Sequence, residues 1–262
     1  MKKIIVVILT VLLIIFFSLS NSNSEKTEIR IMAAASLTEV FAELKDDFEA
    51  EHPEVKLEIH FAGSQTLFNQ IRLGVGANIV ALANQDYMQR LSADGLVAES
   101  RFFATNQLAI VFNKQRVEIN DISDLTNDNL KIVIADKSTP VGNYTLEMLA
   151  NISDSNQFSS DYKKDFLANV VSKELDVKSV VEKLNLGEAD VAVVYQTDIK
   201  DHQQLKELSL AQEYNIRAKY PIASLNDQTT KKEAISNQFL DYLFSTAAKE
   251  ILKDYNFIVE SR

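Results

Sequence analysis

Twice within its first seventy residues the chain makes the same transition, from an extended run through small residues to a serine and then a helix. Glu28-Ile29-Arg30-Ile31-Met32 alternates polar and apolar side chains, the period of a half-buried strand. Ala33-Ala34-Ala35-Ser36 follows, and Leu37, Val40, Phe41, Leu44 and Phe48 then fall at helical spacing. The second instance runs from a strand over residues 56–61 through Ala62-Gly63-Ser64 to a helix carrying Leu67, Phe68 and Ile71. A first helical turn has backbone N–H groups without intrahelical acceptors, at the positive end of the helix dipole. Ser36, with Glu39 three residues on, reads as an N-cap with a capping box, and Ser64 reads as an N-cap too. A hydroxyl that accepts from its own helix keeps a proton to donate outward.

The alternation continues along the chain. Residues 79–83 form a short apolar run suited to a buried strand, and 87–91 a short helix ending near Gly95. An extended stretch covers 102–112, and 132–135 is another buried-type strand. Thr139-Pro140-Val141-Gly142 then opens a helix from Tyr144 through Leu149. Pro140 stands at its first position, where a missing N–H costs nothing. The N–H groups of Val141 and Gly142 are expected to be free donors. Residues 151–165 are polar and read as an irregular surface insertion. Asp176 caps a helix carrying Val177, Val180, Val181 and Leu184 that ends at Gly187, which leaves the Val177 N–H available. Residues 191–194 form a strand with Tyr195 at its carboxyl end; 218–223 is extended, and one long helix spans 231–255 with Asn256 as a left-handed cap. Strands alternating with helices imply an α/β fold with a mostly parallel sheet. In such sheets ligands sit outside the carboxyl ends of the strands, where Tyr195 and four helix starts fall.

The net charge of -10 argues against nucleic acid or an anionic membrane surface as the main partner. An anion site in this chain must therefore work through local donors. The absence of cysteine excludes disulfides, thiolate metal sites and a cysteine nucleophile. His52, His60 and His202 are scattered, with no metal-ligand spacing. At the N-terminus Lys2-Lys3 precede an apolar run over 4–17, then a small polar stretch to Ser24. That is the layout of a secretory signal. It lacks an Ala-x-Ala cleavage site, so residues 1–24 read as a signal peptide or a retained anchor, with the folded part outside the cytoplasm.

Several motifs occur together in one order: Ala-Ala-Ala-Ser-Leu at 33–37, Phe61-Ala62-Gly63-Ser64, Pro140-Val141-Gly142-Asn143-Tyr144, and Gly187-Glu188-Ala189-Asp190 leading to Val194-Tyr195-Gln196-Thr197-Asp198. Tyr220-Pro221-Ile222-Ala223 and the terminal Asp254-Tyr255-Asn256-Phe257 complete the series. In this order and spacing the chain resembles the substrate-binding proteins of molybdate ABC transporters. The resemblance implies a two-lobed periplasmic-binding-protein fold of type II, with a mixed, mostly parallel sheet in each lobe and the ligand cleft between them. It implies one lobe from residues 26–106 and 210–262 and a second from 107–209. It also implies capture of molybdate or tungstate for a membrane permease, with no cofactor, no catalysis, no protein-bound metal cation and a monomeric state. Carried over by position, Ser36 and Ser64 would give hydroxyl and backbone N–H donors, Val141 and Val177 backbone N–H groups, and Tyr195 its phenol. Asn78 stands where the family carries an acid.

Two other classes compete on the sequence alone. A secreted serine hydrolase would use Ser36 or Ser64, but neither lies in a Gly-x-Ser-x-Gly elbow and no histidine has a partner motif. A membrane-tethered sensor of the same fold, holding a different small anion, fits the N-terminal segment and Asn78.

Overall fold

The structure is a computed structural model that describes residues 26–200 and 202–259. The N-terminal segment read as a signal peptide or retained anchor lies outside the described residues. Nine strands form the sheet: β1 (Thr27–Ala34), β2 (Val55–Ala62), β3 (Ile79–Ala81), β4 (Arg101–Asn113), β5 (Ile132–Ala135), β6 (Val170–Glu174), β7 (Val191–Tyr195), β8 (Leu205–Leu208) and β9 (Arg217–Ser224). Among the described residues eight α-helices accompany them: α1 (Thr38–Glu51), α2 (Ser64–Arg72), α3 (Gln85–Ala93), α4 (Pro140–Asp154), α5 (Tyr162–Ala168), α6 (Val177–Leu186), α7 (Thr230–Tyr242) and α8 (Thr246–Asp254).

The strands follow one hydrogen-bonded path, β2-β1-β3-β9-β4-β7-β5-β6, with β8 added to β4. This corrects the expectation of a separate sheet in each lobe, and the cause is β4. Its first part, Arg101 to Gln107, pairs with β9, and its later part, from Leu108, pairs with β7 and β8. The expectation of a mostly parallel sheet is also corrected. β1 pairs in parallel with β2 and β3, and β5 with β6 and β7, but every pairing of β4 and β9 is antiparallel. The return of the chain through β9 sets that direction.

Parallel strands covered on both faces are buried on both faces, and β1 shows it. Ile29, Ile31 and Ala33 enter the main core, where Phe41 and Phe48 of α1 meet Phe239 of α7 edge-on at 6.2 and 5.2 Å between centroids. Met32 faces the other way into a smaller cluster with Leu67, Phe68 and Ile71 of α2 and Met88 and Leu91 of α3. Each such side chain contributes about 1.5–3 kcal/mol of burial.

Four parts of the chain depart from the sequence expectations. The long terminal helix is two: α7 stops at Tyr242, and the Ser245 hydroxyl caps α8 by accepting the Ala248 N–H at 3.1 Å. Residues 151–165 are not an irregular insertion but the end of α4, a short turn and the start of α5, pinned by buried Ile152, Tyr162 and Phe166. Strands β6 and β8 were not anticipated. Asn78, at the entry to β3, is structural: its Oδ1 accepts the Arg30 N–H at 2.9 Å and its Nδ2 donates to Gln228 Oε1 at 3.1 Å. An acid there would leave the Gln228 oxygen without that donor. Asn256 takes the expected left-handed conformation, with φ of 63°, and Gly187, where the helix is expected to end, is left-handed too, with φ of 76°.

Candidate functional site

The carboxyl ends of β1, β2 and β7 and the starts of α2, α4 and α6 converge on one small cavity. Ala34, Ala35 and Ser36 line it from the end of β1; Gly63 and Ser64 from the end of β2; Ala83 from just beyond β3. Thr139, Pro140 and Val141 come from the start of α4, Asp176 and Val177 from the start of α6, and Tyr195 from the end of β7. All five residues singled out from the sequence, Ser36, Ser64, Val141, Val177 and Tyr195, are therefore brought together, and all five are buried. The space open to the centre of a water-sized sphere is about 20 Å³. A single water needs about 10–15 Å³ on that scale, so the cavity suits a small ion and nothing as large as a metabolite.

How each hydroxyl is held differs from the expected capping. Ser36 lies within a 3-10 turn, Ala35–Leu37, ahead of α1, and neither the turn nor α1 has a side-chain cap. Its Oγ instead meets the Tyr220 hydroxyl at 2.9 Å. Glu39, the other half of the expected capping box, turns away to the Lys178 ammonium at 2.7 Å. Ser64 is the first residue of α2, after Gly63, and its Oγ accepts the Ala83 N–H at 3.1 Å. Ala34 and Gly63 hold the N-cap positions, so Ser36 sits two places and Ser64 one place too far inside to cap. Gly63 also needs its missing side chain: a Cβ there would come within 2.6 Å of Gln65 and of the Leu175 carbonyl oxygen.

The helix starts on the far side are capped as their sequences indicate, with one correction. Asp176 Oδ1 accepts the Ser179 N–H at 2.9 Å and its Oδ2 accepts the Ser179 hydroxyl at 3.1 Å, which leaves the Val177 N–H without an acceptor in its helix. Thr139 Oγ1 accepts the Gly142 N–H at 3.0 Å. Gly142 is thus not a free donor, and Val141 remains as the open N–H of α4. Gly142 has another reason to be glycine, since a Cβ would stand 2.0 Å from the Asp136 carbonyl oxygen.

Tyr195 completes the wall. Its hydroxyl is buried and makes no hydrogen bond of good geometry to any described residue. Burial pushes the phenol well above its ordinary pKa, and the neighbouring Tyr220 and Tyr144 add to the effect, so the group stays protonated. No basic side chain lines the cavity among the described residues. The nearby cation, Lys178, is committed elsewhere: it pairs with Glu39 and, at 3.1 Å, with the buried carboxylate of Asp198. Asp198 also accepts the Tyr195 N–H at 3.2 Å.

The arrangement presents donors and little else. Each serine oxygen already accepts from inside the protein or has a hydroxyl beside it, the Asp176 oxygens are both engaged, and two helix N-termini point inward. Such a cavity matches a small, fully deprotonated anion and offers no nucleophile–base pair.

A family model for bacterial extracellular solute-binding proteins matches residues 29–258. The chain belongs to that family. It is a solute-binding protein and not an enzyme. Among curated relatives, the molybdate-binding protein ModA of Mycobacterium bovis is 30% identical over 232 residues, covering 87% of this chain and 84% of the relative. Among solved structures, the periplasmic molybdate-binding protein of Azotobacter vinelandii superposes with a TM-score of 0.75 at 16% identity, covering 89% of this chain and all of that one. The sulfate-binding protein SubI of Mycobacterium tuberculosis superposes with a TM-score of 0.77 at 16% identity, covering 88% and 86%. These likenesses establish the α/β periplasmic-binding-protein fold.

The sequence singled out the five wall residues but assigned no role to two residues behind them. Tyr220 and Asn106 are wholly buried and polar, and they back Ser36. The signal for Asn106 is the polar run Thr105-Asn106-Gln107 that interrupts an apolar extended stretch, because a buried polar group must find partners.

Proposed function

We propose that this protein captures a tetrahedral oxyanion, molybdate and with it tungstate, outside the cytoplasm and delivers it to the permease of an ABC transporter. The observation that carries the reading is the small cavity walled by donors, with no basic side chain among the described residues that line it and a buried Tyr195 hydroxyl that makes no hydrogen bond of good geometry to any of them. A tetrahedral dianion has four acceptor oxygens and no proton to place, so a wall of hydroxyls and helix-start N–H groups suits it. Helix dipoles supply the potential without a buried lysine or arginine, which would require its own counter-charge. The ligands are Ser36 and Ser64, through hydroxyl and N–H, the N–H groups of Val141 and Val177, and the Tyr195 phenol. The identity of 30% to a protein named for molybdate supports the choice of anion.

Residues 26–106 and 210–262 form one lobe and 107–209 the other, and the lobes close about the crossings near 103–107 and 203–214. Support comes from β4, which changes partner from β9 to β7 at Leu108. The test is calorimetry with molybdate, tungstate, sulfate and phosphate. Tight binding of molybdate and tungstate, with sulfate and phosphate weaker, is expected. Micromolar or weaker binding of all four overturns the reading.

A further inference from the structure

Strand β4 changes neighbours at Gln107–Leu108, and two asparagine side chains stand where the strands leave off. β9 pairs with β4 as far as Gln107, opposite Arg217, and β8 takes over only at Ile110, opposite Leu208. Neither strand pairs with Leu108, yet Leu108 is wholly buried and its backbone groups must find partners. Asn215 supplies them: its Oδ1 accepts the Leu108 N–H at 3.0 Å and its Nδ2 donates to the Leu108 carbonyl at 2.9 Å. The same Oδ1 accepts the Ile216 N–H at 2.8 Å, which holds the amide in that orientation. One residue earlier, the Gln107 N–H donates to Asn106 Oδ1 at 2.9 Å. Asn106 is wholly buried; its Nδ2 donates to Thr197 Oγ1 at 2.9 Å and lies 3.4 Å from the Tyr220 hydroxyl.

With the lobe boundaries proposed above, each amide reaches from one lobe into the other: Asn215 holds Leu108, and Asn106 holds Gln107 and Thr197. A ladder bond fixes two strands in register, whereas an asparagine amide turns about χ2 over a broad range and can follow a rotating neighbour. Contacts at the mouth, such as Tyr87 with Ser138, part when the lobes separate; contacts on the axis of rotation persist. We infer that Asn106 and Asn215 are positioning residues that fix the pivot of lobe closure at Gln107–Leu108, so that the two halves of the cavity wall return to one register at each closure. The inference rests on the two-lobed oxyanion reading above. The wall lies close to this pivot: Thr197 is two residues beyond Tyr195, and the Tyr220 hydroxyl meets Ser36 at 2.9 Å. Without the amides the backbone at Gln107–Leu108 gains freedom, chiefly in the open form, where the mouth contacts no longer hold the lobes. Closing must give that freedom up again. Release starts from the closed form, whose wall and mouth contacts are unchanged.

The experiment follows molybdate capture and release by stopped-flow, with solution scattering of the ligand-free and ligand-bound protein, on wild type, Asn215→Ala, Asn106→Ala and Asn169→Ala. Asn169 is the control: its amide also serves backbone carbonyls, those of Leu125 and Asn127, but away from the crossing. Asn215→Ala is expected to slow capture about tenfold, the cost of ordering one freed backbone residue, with release unchanged. Scattering should show a broader ligand-free form and a ligand-bound form like wild type, and Asn106→Ala should behave in the same way. Asn169→Ala should lower the urea midpoint and leave capture alone. Capture at the wild-type rate in Asn215→Ala, faster release with capture unchanged, or equally slow capture in Asn169→Ala overturns the inference while leaving the oxyanion reading intact. A wild type that binds no molybdate overturns both, and one that binds it without compacting removes the closure on which the pivot depends. Should Asn215→Ala fail to fold, Asn215→Asp takes its place, since it keeps an acceptor for the Leu108 and Ile216 N–H groups and loses the donor to the Leu108 carbonyl. A smaller slowing of capture with unchanged release is then expected, and unchanged capture counts against the inference.

Discussion

Tyr195 and Ser64 contribute to the same wall but have opposite relations to the rest of the protein. The Tyr195 hydroxyl has no good hydrogen bond to the described residues, so the folded protein gains nothing from it. Tyr195→Phe is therefore expected to weaken oxyanion binding by roughly 1.5–3 kcal/mol while leaving the ligand-free protein as stable or slightly more so, since a buried unpaired hydroxyl is a cost. Ser64 carries a second duty, accepting the Ala83 N–H. Ser64→Ala should lower affinity by a similar amount and also destabilise the ligand-free protein by about 1–3 kcal/mol, because a buried N–H is stranded. Calorimetry with urea denaturation on both variants separates the two patterns; equal stability losses would show that Tyr195 has an internal partner. The sequence located these side chains because a serine after small residues and a tyrosine ending a buried strand are local patterns. It misassigned the hydroxyl partners, since Tyr220 is 184 residues from Ser36 and nothing local announces that meeting.

The start of α6 shows what one helix position demands of its surroundings. Lys178 follows Val177 of the wall and faces two carboxylates, Glu39 on α1 and the fully buried Asp198. Burial raises the Asp198 pKa from its ordinary value, against the opposing pull of Lys178. A carboxyl whose folded pKa is raised binds its proton more tightly when folded, so its contribution to stability falls as pH rises through that folded value. Lys178→Met removes the counter-charge, so the buried Asp198 carboxyl at neutral pH must either stay charged without a partner or take up a proton, and both cost stability. A loss of about 3 kcal/mol is expected there, shrinking as the pH is lowered and Asp198 takes up a proton. Denaturation midpoints measured from neutral pH down to the carboxylate range check the sign; a deficit that grows on acidification would contradict it. At this scale most elements were legible from period and punctuation, as with α2, β5 and the Gly187 stop. The failures have physical causes. Ser245 is a cap inside an unbroken apolar spacing, so periodicity alone ran α7 into α8. β6 alternates weakly and is half exposed, and its pairing with β5 comes from the tertiary fold.

Across the whole molecule, the contacts between the two proposed lobes include three ties that do not belong to the cavity wall. Gln65 Nε2 donates to the Leu175 carbonyl at 2.6 Å, the Tyr87 hydroxyl donates to the Ser138 carbonyl at 2.5 Å, and Glu39 pairs with Lys178 at 2.7 Å. Sequence could not foresee them, nor the single sheet path, because both depend on how distant segments come to rest. If the lobes open without ligand, these contacts form only on closure and weight the closed population. Apparent affinity scales with that population, so a tie lost lowers affinity without touching the anion. Tyr87→Phe and Glu39→Gln each remove one tie, and neither residue lines the cavity. Each is expected to cost up to about 1 kcal/mol, or about fivefold in affinity, expressed as faster release with little change in capture rate. Lys178 keeps Asp198 in the Glu39 variant, so ligand-free stability should change little. Stopped-flow release of molybdate, with solution scattering to follow compaction on ligand addition, reads both effects. Release rates equal to wild type in the double variant would mean that these ties play no part in closure, and that donors in the wall hold the anion unaided.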